Sequence, residues 1–128
     1  MIDQSFIKDI NSMLHDFLQR NAFKHLSQVE LQNLGVGLTQ QEYAQRNMTA
    51  IFWSNGRVIL EIYSDPLGGE VNCRIATIET DKLQHETWKY FYELHPLSTQ
   101  ELLEIQKKPR APDIQLTTLV KKLEVINF

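Results

Sequence analysis

Residues 48–64 read Met48-Thr49-Ala50-Ile51-Phe52-Trp53-Ser54-Asn55-Gly56-Arg57-Val58-Ile59-Leu60-Glu61-Ile62-Tyr63-Ser64. Two apolar runs flank Asn-Gly, the pair that best tolerates positive φ in a tight hairpin turn. The reading is a β-hairpin with Asn55-Gly56 as a two-residue loop. That loop sets Ser54 opposite Arg57, Trp53 opposite Val58, Ile51 opposite Leu60 and Thr49 opposite Ile62. Side chains alternate across a strand, so Trp53, Val58, Ile51, Leu60, Thr49 and Ile62 form one apolar face directed at the core. The other face pairs Phe52 with Ile59, Ala50 with Glu61 and Met48 with Tyr63. It is mixed, which predicts partial cover or an open patch.

Downstream, Asp65-Pro66-Leu67-Gly68-Gly69 is a turn, because proline presets φ and glycine permits positive φ. A third strand follows over Glu70–Thr80, with Val71, Cys73 and Ile75 on one face and Arg74 and Ala76 on the other. Asp81 is placed to cap a helix over roughly 82–95, on which Leu83, Trp88, Phe91, Tyr92 and His95 share a face. A strand is the alternative there, since Trp88, Tyr90 and Tyr92 alternate. Ser98-Thr99-Gln100-Glu101 is a capping box opening a helix over Glu101–Lys107. Pro112 suits the first turn of a last helix striped by Leu116, Leu119, Val120 and Leu123. The tail Val125–Phe128 reads as an added strand.

Upstream, Phe6, Ile7, Ile10, Met13, Leu14, Phe17 and Leu18 recur at helical spacing and predict an amphipathic helix from about residue 4 to 20. Ser27-Gln28-Val29-Glu30 is a second capping box, with Gly35 placed as the left-handed stop of a helix over 28–34. Thr39-Gln40-Gln41-Glu42 opens another short helix through about Arg46. The fold class expected is α+β. An antiparallel meander over about residues 48–80 packs against the N-terminal helix and the C-terminal helices, in a single domain spanning 1–128.

The chain has 128 residues, 42% hydrophobic and 23% charged, with a formal net charge of −3. This composition excludes a disordered tail, a collagen-like repeat and a disulfide scaffold. Thirteen basic against sixteen acidic residues argue against nucleic-acid binding, which rewards a basic surplus. No apolar run approaches a membrane span. Met1–Ser5 shows no basic segment leading into an apolar one, and a lone cysteine favours a reducing compartment, so the expectation is cytoplasmic. The acid excess lies in residues 48–95, which hold Glu61, Asp65, Glu70, Glu79, Asp81, Glu86 and Glu93.

The motifs for chemistry fail one by one. His15, His25, His85 and His95 share no zinc-like spacing with each other or with Cys73, so no metal is expected. Cys73, between Val71 and Ile75 in a strand, reads as a buried small hydrophobe rather than a nucleophile. Gly35-Val36-Gly37 lacks the third glycine of a dinucleotide loop, and Gly68-Gly69 lacks the lysine of a phosphate loop. Lys107–Arg110 carries bases without interleaved aromatics and reads as a solvated connection. No enzyme, cofactor or catalytic residue is expected.

A small acidic α+β domain without catalytic motifs, its strands Met48–Ser54, Arg57–Ser64 and Glu70–Thr80 set between helices, resembles the immunity proteins of bacterial toxin–immunity systems such as contact-dependent inhibition. The resemblance implies 1:1 capture of a cognate toxin, commonly a basic nuclease, by a monomer that blocks the toxin's active site. The contact residues expected are Glu61, Asp65, Glu70, Asp81 and Glu86, with Tyr63 as an aromatic anchor. A second reading is a dimeric secretion chaperone exposing Phe52 and Ile59 to an unfolded effector segment. A third is a small ligand-binding domain or enzyme, with a pocket between the sheet and the first helix.

Overall fold

The computed structural model describes residues 4–36, 45, 48–65, 70–107, 112–126 and 128. The capping box at Thr39–Glu42, the glycines of the turn after Asp65, and residues 108–111 lie outside them. The chain runs α1 (Gln4–Arg20), β1 (Lys24–His25), α2 (Gln28–Leu34), β2 (Thr49–Ser54), β3 (Val58–Asp65), β4 (Glu70–Glu79), β5 (Lys82–Tyr90), α3 (Phe91–Leu94), α4 (Thr99–Lys107) and α5 (Pro112–Glu124). The strands form one antiparallel sheet in the order β1-β2-β3-β4-β5. The fold is α+β, as the patterning predicts.

The apolar face of the hairpin carries the larger core. Ile51, Trp53, Leu60 and Ile62 meet Val71, Cys73 and Ile75 of β4, the α1 stripe Phe6, Ile10, Leu14 and Phe17, and Leu116, Leu119, Val120 and Leu123 of α5. Ile10, Leu14 and Phe17 are fully buried, so the space between α1 and the sheet is filled rather than open as a pocket. Packing at this density leaves a core residue such as Phe17 worth about 3–5 kcal/mol against alanine. The described residues of the tail add no strand. Phe128 instead packs edge-on against Phe17 and Phe23, and its N–H donates to Asn21 Oδ1 at 2.7 Å.

The hairpin register differs from expectation by two residues. Ser54 faces Ile59, Trp53 faces Leu60 and Ile51 faces Ile62. The loop is Gly56-Arg57, with positive φ (88°) at Gly56, while Asn55 becomes the residue before it. Asn55 Oδ1 accepts from the N–H groups of Arg57 and Val58, both at 3.0 Å, so its side chain closes the turn from outside. A shift of two preserves which side chains face the core, whereas a shift of one would invert them.

The mixed face is partly covered: Met48, Tyr63 and Arg74 stay half-buried while its centre is closed. Phe52, Ile59, Ala50 and Ala76 bury against Leu26 and Leu31, with Leu83 of β5 completing a second core. Phe52 and Ile59 are 1% and 0% exposed, so neither offers apolar surface to an unfolded segment. The α2 signals hold in detail: Ser27 and Glu30 exchange both capping-box bonds, and Gly35 takes the left-handed conformation at φ 85°. Ser98 and Glu101 form the same box at the start of α4.

The expected helix over 82–95 is a strand as far as Tyr90, and only Phe91–Leu94 is helical. Asp81 is not a helix cap. Glu79 pairs with Lys82 across a two-residue turn in which Thr80 and Asp81 both have positive φ, 49° and 60°. A β-branched residue in the left-handed region is strained by about 1–2 kcal/mol. Both side chains are exposed, so no packing compensates. Replacing the pair with Asn-Gly is therefore expected to raise the unfolding free energy by about 1 kcal/mol, or a few degrees in Tm, read by thermal and urea melts. An unchanged or lowered Tm would show the turn to be unstrained.

Candidate functional site

The site grows from the irregularity of β5. Ile75 pairs with Lys89 and Thr77 with Gln84, so two steps along β4 oppose five along β5. The extra residues form a bulge over 85–88. Thr87 plugs it: its hydroxyl accepts from Thr77 N–H at 2.8 Å and donates to Gln84 C=O at 2.6 Å, replacing ladder bonds the bulge removes. The bulge directs two side chains onto the covered face of the sheet. His85 Nε2 meets Gly35 C=O at 2.7 Å, beyond the end of α2. Trp88 lies over Arg74, with the guanidinium carbon 4.5 Å from the ring centroid.

Arg74 is the centre of a charged and aromatic group. Its Nε donates to Glu61 Oε1 at 2.6 Å across the β3–β4 ladder, where the two residues are direct partners. The Glu61 side chain is 0% exposed and that of Arg74 is 30% exposed. The guanidinium carbon also lies 6.0 Å from the Tyr63 ring centroid, at the outer reach of a cation–π contact. Tyr63 and Tyr90, on the strands either side of β4, are hydrogen-bonded to each other. Burial, and then the bond to Tyr90, push the Tyr63 phenol far above its ordinary range, so it stays protonated at all physiological pH. The result is a buried carboxylate under an arginine, with Trp88 and Tyr63 half-buried and Tyr90 44% exposed at the surface.

The expected contact residues do not share one surface. Glu61 belongs beneath the surface as the partner of Arg74, which corrects its reading as an exposed contact: β4 brings a cation opposite it. Tyr63 lies in the same group. Asp65 and Glu70 pair in register at one end of β4. Asp81 sits in the turn past the other end, about 30 Å away along the ten residues of β4. Glu86 is exposed in the bulge. The acids therefore do not make a continuous patch. Arg74, Trp88 and Tyr90 were not among the expected contacts. The alternation of Trp88 and Tyr90 was their sequence signal.

Away from this group, Cys73 is not placed as a reactive thiol. Cys73 is buried on the opposite face, and burial pushes its thiol well above its usual value, away from the thiolate. Among the described residues, no group of three or more His, Cys, Asp and Glu is placed to hold a metal. Among the same residues, no helix is long and apolar enough to cross a membrane. Compared with protein-family models, curated proteins and solved structures, the chain matches none.

Proposed function

We propose that this chain is a non-enzymatic protein-binding domain, an immunity-type inhibitor that captures a cognate basic toxin, a nuclease, in a 1:1 complex in the cytoplasm and covers its active site. The observation that supports this reading is the Trp88–Arg74–Tyr63–Tyr90 group. Tryptophan, tyrosine and arginine are the residue types that dominate binding hot spots. Here they are held in place by the Glu61 ion pair and the Tyr63–Tyr90 bond, so little side-chain freedom is lost on binding. A standard interface of about 800 Å² per partner would take roughly a tenth of the 7616 Å² surface. Exposed Glu86, in the same bulge, supplies rim charge of the sign that steers a basic partner.

The test is co-expression with toxic nuclease domains, beginning with any that the neighbouring gene proves to encode. Restored growth, and a mixture whose light-scattering mass equals one copy of each chain, are the expected results. Failure to restore growth, or a stable dimer of this chain that ignores the folded domain, would overturn the reading.

A further inference from the structure

A cleft of about 290 Å³ opens where α2, the Ser54–Gly56 turn and the β4–β5 turn meet. Leu26, Leu34 and Ile78 give it apolar walls, and its two ionisable lining groups are the carboxylates of Glu30 and Asp81. Its volume falls at the lower limit of cavities that hold drug-sized ligands, and so suits one long side chain. Glu30 is fixed in position, because its Oε1 accepts from Ser27 N–H at 3.2 Å. The last carbonyls of α2 add the negative end of a helix dipole. The chain already sets its own donors against that end: Lys82 Nζ on Asn33 C=O at 3.5 Å, and His85 on Gly35 C=O. Asn33 itself lines the cleft.

We propose that this cleft receives a lysine or arginine side chain of the partner, its methylene stem against Leu34 and Ile78 and its cation between Glu30 and Asp81. The inference rests on the partner-binding reading above and names the chemistry of one contact within it. A long basic side chain matches both features of the cleft, since its stem is apolar and its head is charged. The exposure of both acids makes the contact one of selectivity rather than of great strength.

The probe is Nα-acetyl-arginine N-methylamide, titrated into the isotopically labelled full chain and followed by amide chemical shifts. Shifts are expected at Ser54, Gly56 and Ile78–Asp81, with the uncharged citrulline analogue producing far smaller ones. Asp81→Asn, which keeps a side chain tolerant of positive φ, is expected to weaken the arginine probe by about two- to fivefold, and added salt to weaken it as well. Equal binding of the citrulline analogue, shifts centred elsewhere, or indifference to Asp81→Asn would overturn the proposal. Because the titration uses the free chain, its failure removes the cleft and leaves the Trp88 surface standing, which is read in the complex.

Discussion

Arg74→Ala is expected to lower the unfolding free energy by about 3–5 kcal/mol, while Glu61→Leu combined with Arg74→Met stays within about 1 kcal/mol of the native chain or exceeds it. The reason is the asymmetry of the pair. Glu61 is fully buried between β2 and β4, opposite Phe52 and Arg74, and its Oε1 accepts from Arg74 Nε at 2.6 Å. Removing the arginine leaves a carboxylate in the interior without its cation, and the cost is mostly that of a charge taken out of water. Removing both charges and filling the volume with apolar atoms erases that cost together with the attraction. Arg74→Lys falls between, since the ammonium keeps the charge but loses the guanidinium's contacts with the Trp88 and Tyr63 rings. Urea denaturation followed by tryptophan fluorescence and by far-ultraviolet dichroism gives the three values. A loss under 1 kcal/mol in Arg74→Ala would mean that the other contacts of Glu61 hold its charge without the arginine, and the ion pair would no longer count as what fixes the group.

What was legible in the sequence, and what was not, follows from how far each signal reaches along the chain. The α1 stripe, the Ser27 and Ser98 capping boxes and the Gly35 stop are local, and each is realised within a residue or two of its expected place. Asn55-Gly56 announced the hairpin, but the asparagine side chain caps the turn instead of entering it, so the register slipped by two while the core face was kept. In β5 the bulge inserts residues into a period-two pattern. Leu83, Trp88 and Phe91 then fall at spacings that imitate a helix, and Asp81 before them imitates a cap. Thr80-Asp81 carries no turn signature, since its strained conformation is imposed by pairing on either side. Glu61 carries no local sign of its partner, which lies thirteen residues away on the next strand. β1 has two residues, too few to show any period.

Trp88→Ala is expected to weaken the complex with the partner by about 30-fold or more, and Tyr90→Ala by about tenfold, with the melting temperature of the free chain lowered only modestly. Trp88 offers a large, half-buried ring with the guanidinium of Arg74 4.5 Å from its centroid, and it follows Thr87, whose hydroxyl fixes the bulge backbone. A partner side chain closing over it would desolvate the rest of the ring without ordering anything, which is the condition under which an aromatic contributes most to an interface. Tyr90 is nearer the rim at 44% exposure, so its truncation removes area and the bond to Tyr63 but exposes no cavity. The expected loss lies in dissociation rather than association, because neither residue carries the charge that steers encounter. Glu86→Lys should do the reverse, slowing association and changing the salt dependence while leaving dissociation nearly as it was. Calorimetry and surface-immobilised kinetics at two salt concentrations separate these effects. A Trp88→Ala chain that binds its partner as tightly as the native chain would move the interface off this face of the sheet, whatever the fate of the acidic cleft at the opposite turn.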